Sequence, residues 1–224
     1  MTRYALSWSG GKDSLLALDR ALLGGRDVAT LFTIHEGNTG RVRFHGVRAE
    51  LIQAQAKALG LPILQAHTHP CDYEAVLIDL LNRLPALGIG GVIFGNIHLA
   101  DIRAWYEERT GARGLEHVEP LWGDTPSDVV REFVERGHVS RIVSVNLDLG
   151  RPEWLGRTFD LDLIREIEAA GVDPCGERGE YHSFSVNGPR FRHPVAVREV
   201  GIIEMEGHRI LDLQLATPEA GTRH

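Results

Sequence analysis

Residues Ser7 to Ser14 read Ser-Trp-Ser-Gly-Gly-Lys-Asp-Ser, behind a short apolar run, Tyr4 to Leu6, and ahead of an apolar helical pattern. That order places a glycine turn between a strand and a helix start. Unpaired backbone N–H groups and the positive end of the helix dipole favour an anion there. Adjacent glycines let the main chain approach phosphate oxygens closely, and Lys12 adds a full positive charge. Of 24 lysines and arginines only Lys12 and Lys57 are lysines, so a chain that otherwise uses arginine keeps a compact ammonium in this turn. The Walker A pattern is not met, because Asp13 follows Lys12 and the glycines are adjacent. Ser9, Gly10, Gly11, Lys12 and Ser14 are the phosphate-binding candidates. Asp13 either helps position magnesium or caps the helix.

The elements that must carry this turn alternate along the first two-thirds of the chain. Strands are expected at Tyr4–Ser9, Val28–His35, Ile63–His67, Gly91–Asn96, His117–Leu121 and Val139–Val145. Helices are expected at Ser14–Leu23, Val47–Leu59, Tyr73–Leu87, Asp101–Thr110 and Pro126–Arg136. In the second of these, Leu51, Ile52, Ala56 and Leu59 recur at helical spacing before Gly60 and Pro62 close it. Such alternation implies an α/β fold with a mostly parallel sheet covered on both faces. Ligands of these sheets sit beyond the carboxyl ends of the strands, where the glycine turn, His35 and Asn96 would lie.

Beyond a boundary near Asp148–Glu153 the pattern changes. A helix at Leu161–Ala170 leads into a loop rich in glycine and glutamate. Strands follow at Tyr181–Val186, Val195–Met205 and Arg209–Leu215, the last two joined by a Glu206-Gly207-His208 turn. Residues 1–150, which carry the glycine turn, are expected to form a nucleotide-binding domain, and 151–224 either a smaller α+β substrate-binding subdomain or a β-rich extension of the same sheet, with a frayed tail after Pro218.

At 224 residues and 43% apolar content the chain has enough material for a buried core. Its net charge of −7 argues against a nucleic-acid backbone binder. No apolar stretch approaches the roughly 20 residues of a membrane span. Two cysteines, Cys71 and Cys175, give no disulfide framework, and the chain enters its first strand at once, which together suggest the cytoplasm. His67, His69 and Cys71 could meet one zinc ion from an extended segment, but Pro70 interrupts the alternation and no fourth ligand is evident.

Ser9-Gly10-Gly11-Lys12-Asp13-Ser14 resembles the SGGxDS signature of the PP-loop ATP pyrophosphatases. Further segments resemble one branch of that group, the diphthine–ammonia ligase family: Phe44-His45, Phe94-Gly95-Asn96-Ile97 running on to Asp101-Ile102-Arg103, Pro120 to Gly123, and Trp154 to Arg157. The most specific is Gly176-Glu177-Arg178-Gly179-Glu180-Tyr181-His182-Ser183-Phe184, which looks like the family's Gly-Glu-x-Gly-Glu-(Phe/Tyr)-x-(Thr/Ser)-Phe box. The resemblance implies an adenine-nucleotide α-hydrolase-like fold. It further implies ATP with magnesium, and adenylation of a small-molecule or protein carboxylate followed by amide formation with ammonia. It adds His35, Gly95 and Asn96 to the nucleotide side and Lys12, Asp13, Glu177 and Glu180 to the chemistry. His45, Asp101, Arg103, Tyr181 and His182 fall to the substrate, and room for a homodimer remains. Two other readings stay open: a regulatory protein that holds ATP or AMP without turnover, and a sulfur-transferring nucleic-acid modifier, which would need catalytic cysteines and a basic surface.

Overall fold

A computed structural model describes residues 1–42, 45–69 and 72–216. In chain order the elements are β1 (Arg3–Ser7), α1 (Lys12–Leu23), β2 (Asp27–Glu36), β3 (Arg41–Val42), α2 (Ala49–Leu59), β4 (Ile63–Thr68), α3 (Tyr73–Arg83), β5 (Gly91–Ile93), α4 (Ala100–Gly111) and β6 (Glu116–Val118). The second part comprises α5 (Pro126–Glu135), β7 (Val139–Asn146), α6 (Leu161–Ala169), β8 (Tyr181–Asn187), β9 (Val197–Met205) and β10 (His208–Leu215).

β4, β2, β1, β5 and β6 form a parallel sheet in that order, and β3 adds two antiparallel residues at the end of β2. From β1 the chain builds outward to β2 and β4, then returns to place β5 on the other side of β1. The order therefore reverses between β1 and β5, and the crevice at their carboxyl ends is the expected ligand site of such a sheet. Residues Val28 to Glu36 of β2 are buried except at Ala29, which fits a strand covered on both faces.

Local signals account for the helix ends. Thr125 caps α5 by accepting the Asp128 N–H, with Pro126 at the first helical position, and Asp160 caps α6 through the Leu163 N–H at 2.8 Å. Gly60 ends α2 at φ +72°. α1 begins at Lys12, two residues earlier than the sequence suggested. Its cap position is Gly11, with no side-chain cap bond, so Asp13 stands in the first turn and does not cap the helix.

The strand at Val139–Asn146 departs from the expected alternation. β7 pairs antiparallel with β8 and β10, giving a second sheet in the order β8, β7, β10, β9. The change of sheet thus precedes β7, ahead of the Asp148–Glu153 segment. One large apolar cluster continues from α1 and α2 through α5 and α6 to Phe184 and Leu211, so the two sheets share a core. A second cluster, around Phe32, Leu80, Val92 and Phe94, lies under α3 and α4. Sharing a core fixes β8 against the glycine turn.

Candidate active site

The turn after β1 is held from three sides. Gly10 has φ +82°, and a Cβ there would lie 2.6 Å from Ile52 Cδ1 and 2.7 Å from Gln55 Oε1, so only glycine fits. Gln55, fully buried on α2, donates to the Gly10 carbonyl at 2.9 Å and the Ser185 carbonyl at 2.6 Å, and accepts from Trp8 Nε1 at 2.9 Å. From β8, the Ser185 N–H donates to the Gly10 carbonyl at 2.8 Å and Ser183 Oγ accepts the Lys12 N–H at 3.1 Å. Gly95, just past β5, would carry its Cβ 3.1 Å from the Asp13 carbonyl oxygen, so absence of a side chain lets the chain after β5 approach the first turn of α1.

Lys12 is buried. Its ammonium lies 3.0 Å from Asp13 Oδ2, donates to the Cys175 carbonyl and sits over the Tyr181 and Phe159 rings at 5.0 and 5.7 Å. Burial works against the charge, but Asp13 and the surrounding groups outweigh it and hold the lysine pKa above its ordinary value. Burial pushes the Asp13 carboxyl up, with the Lys12 ammonium opposing, and Asp13 Oδ1 is buried without a hydrogen-bond partner among the described residues. Glu177 accepts the Ile97 N–H at 3.3 Å. Burial first, then the Asp13 charge, push its carboxyl up to about 8. Two imidazoles face this group, with His45 and His182 ring centres 4.5 Å apart. Burial lowers His45 to about 4 and His182 well below the usual histidine value, so both are neutral at pH 7.

These side chains border two cavities across the β1–β5 crevice. One, of about 360 Å³, is mainly apolar, with Trp8, Phe32, Ile34, Val42 and Tyr73 in its wall. The other, of about 200 Å³, is polar and bordered by Lys12, Asp13, Asn96, Glu177 and Tyr181. Ser7, Ser9, His45, Tyr106 and His182 border both. A third hollow of about 330 Å³ lies on the outer side of Glu177 and His182. An apolar chamber opening on a polar one with a buried cation suits a nucleoside joined to phosphates.

Most of the sequence candidates converge here: Ser9, Lys12, Asp13, Ser14, His45, Gly95, Asn96, Glu177, Tyr181 and His182 all border the polar chamber, and Gly10 and Gly11 lie in the turn between Ser9 and Lys12. Four do not. Glu180 is buried, and its carboxylate accepts the Arg178 N–H at 3.0 Å, bracing the loop. His35 is buried against Gln65 at 2.8 Å, while its neighbours Thr33 and Ile34 border the apolar chamber. Asp101 is exposed in the first turn of α4. Arg103 stacks on Trp122 at 4.6 Å and faces Glu119 at 3.6 Å, behind the chamber wall.

Cys71 lies outside the described residues, as does Phe44. Among the described residues no group of three His, Cys, Asp or Glu could hold a metal ion. Sequence reasoning missed Gln55, Ser183, Ser185 and the Tyr73–Tyr106 pair, whose hydroxyls are 3.0 Å apart. Only Ser183 carried a signal, its place in the glutamate box.

The fold and this crevice define a PP-loop type of α/β nucleotide-binding protein. Residues 2–117 match the model of the diphthamide synthase N-terminal domain and residues 125–216 that of the diphthamide synthase C-terminal domain. The chain belongs to the diphthamide synthase family. The diphthine–ammonia ligase of Homo sapiens is 27% identical over 222 residues, covering 87% of this chain and 82% of that protein. The Danio rerio diphthine–ammonia ligase is 25% identical, covering 84% of each. The Schizosaccharomyces pombe relative is 22% identical over 92% of this chain and 38% of its own length. Among solved structures, the U34-tRNA thiolase NcsA of Methanococcus maripaludis aligns over 60% of this chain and 55% of that one, with a TM-score of 0.37 and 19% identity. With its family established, the chain is an enzyme, an ATP-dependent amide ligase. Among the described residues no helix is long and apolar enough to cross a membrane.

Proposed function

We propose that the protein adenylates a carboxylate with ATP and passes the acyl group to ammonia, the carboxylate being of the diphthine type that its relatives' names state. The single observation that carries this reading is the buried Lys12 ammonium at the glycine turn, opposite Glu177 in the polar chamber. The nucleoside occupies the apolar chamber, and the turn with Lys12 receives the β- and γ-phosphates. The carboxylate oxygen forms a bond to the α-phosphorus as the bond to the bridging oxygen breaks, and pyrophosphate departs with the electron pair toward Lys12. A preorganised cation in a dry site stabilises that growing charge without reorganisation.

Ammonia then attacks the acyl carbon, AMP leaves with its oxygen, and one proton leaves the nitrogen. Glu177, raised to about 8, is suited to take that proton near neutral pH. The same burial excludes water from the activated acyl group. Magnesium takes few protein ligands and shares phosphate oxygens, so one carboxylate with a free buried oxygen fits it. Asp13 Oδ1 would hold the ion, which would supply neutralisation of phosphate charge. Glu180 keeps the Glu177 loop in shape.

The protein is incubated with ATP, magnesium, ammonium and a diphthine-bearing peptide. AMP and pyrophosphate formed with the amide support the reading. Retention of ATP without products favours a nucleotide-binding regulator, and ADP contradicts both.

A further inference from the structure

Glu119 follows β6 directly, its side chain is 1% exposed, and no step above uses it. Its Oε1 accepts from Asn96 Nδ2 at 2.7 Å and faces His117 Nε2 at 2.9 Å. The Arg103 guanidinium stands 3.6 Å from Oε2. His117 is itself braced, stacked on Phe94 at 5.2 Å with Nδ1 3.2 Å from Thr110 Oγ1 on α4. A side-chain amide donates from its nitrogen and accepts at its oxygen. Asn96 therefore turns its amide nitrogen to Glu119, and its carbonyl oxygen is the acceptor left for a ligand of the polar chamber it borders. The next backbone N–H, that of Ile97, holds Glu177 at 3.3 Å, so a second acceptor stands beside the first.

Phosphate oxygens at neutral pH bring no hydrogens to Asn96 Oδ1 or to the ionised form of Glu177, whereas ammonia brings three. We propose that Asn96 Oδ1 and the Glu177 carboxylate form the amine-donor subsite, with Glu119 as the positioning residue that fixes the Asn96 amide. The inference rests on the ligase reading and assigns where its nitrogen enters: the donor reacts as ammonia, held with its N–H bonds toward Asn96 and Glu177, one proton passing to the ionised Glu177 as the C–N bond forms and AMP leaves.

The test uses ammonium chloride as donor, a diphthine-bearing peptide as carboxylate, and two assays. Pyrophosphate–ATP exchange reads adenylation alone, and amide formation reads the whole reaction. In Glu119→Gln the introduced amide can donate to Asn96, which then turns its own nitrogen to the chamber. The ammonium KM should rise about tenfold to a hundredfold, the range for loss of a hydrogen bond to a charged partner, while exchange stays within about twofold. Adding Asn96→Asp restores an acceptor that cannot be flipped, and the ammonium KM should fall back toward its original value. A merely structural role predicts that exchange and amide formation decline together and are not rescued, which would overturn the proposal. An unmoved ammonium KM, or a raised magnesium requirement in its place, would overturn it as well. No exchange in the unmodified protein is a different result, removing the ligase reading and this inference with it.

Discussion

Replacing Glu177 by glutamine preserves the shape of the loop and an acceptor for the Ile97 N–H, and removes only the charge. Burial and the Asp13 charge lift this carboxyl from its ordinary 4.5 to about 8. The folded protein thus keeps a proton on Glu177 that the unfolded chain has released. Native stability falls as pH climbs from about 4.5 to about 8 and levels off above that. At about 1.4 kcal/mol per pH unit the full window is worth roughly 5 kcal/mol. Water entering the chamber when no nucleotide fills it raises the effective dielectric and reduces the expected loss to about 2–3 kcal/mol. Urea unfolding measured at intervals from pH 5 to pH 9 checks this. The unmodified protein should lose that amount relative to Glu177→Gln across the window, the variant being the more stable at pH 8 and the two converging near pH 5. Amide formation should fall by about 10²–10⁴ in the same variant if the carboxylate is the proton acceptor. Parallel stability profiles would refute the reasoning, because they would mean that Glu177 carries no charge penalty in the fold.

Three other perturbations separate chemistry from scaffold. Lys12→Met keeps an unbranched chain against Tyr181 and Phe159 but removes the ammonium, and should retain the native circular dichroism spectrum while adenylation falls about 10²–10³-fold. Asp212, buried on β10, accepts from Arg41 at 2.8 Å and Arg48 at 2.6 Å, and these partners hold its carboxyl below the usual range. Its contribution is present above the ordinary 3.8 and is lost as pH falls through the lowered value, so Asp212→Ala should cost about 2–3 kcal/mol at pH 7, reduced from a fully buried pair by the partial exposure of Arg48, and little at pH 2. Gly10→Ala forces a side chain into Ile52 and Gln55 at a positive φ, and should lower the melting temperature and abolish nucleotide binding; unchanged binding by calorimetry would argue against the turn's role.

Much of this arrangement is written locally. The glycine turn, the helix after it and the glutamate box each carry a contiguous pattern, and the structure brings all three to one crevice. What the pattern cannot carry is direction and long-range pairing. Glu177 and Glu180 lie three apart in a loop without helical periodicity, so one reaches the chamber and the other folds back on the Arg178 N–H. The apolar run of β7 marks a strand, but only its cross-strand partners on β8 and β10 decide its sheet. Arg103 and Asp101 sit on α4, whose rotation turns them from the crevice toward Glu119 and solvent. Gln55 shows the opposite limit: it reads as one polar residue on an apolar helix face, yet it ties Trp8, Gly10 and Ser185 together.

The central claim is that the glycine turn after β1 grips the terminal phosphates beside Lys12. A crystal structure with a non-hydrolysable ATP analogue and magnesium tests it most directly. The account expects the base between Trp8 and Tyr73 in the apolar chamber, and the β- or γ-phosphate within hydrogen-bond distance of Lys12 Nζ, with Glu177 facing the α-phosphorus. A nucleotide bound in the third hollow by His208, or with its phosphates turned away from Gly10 and Gly11, would contradict it.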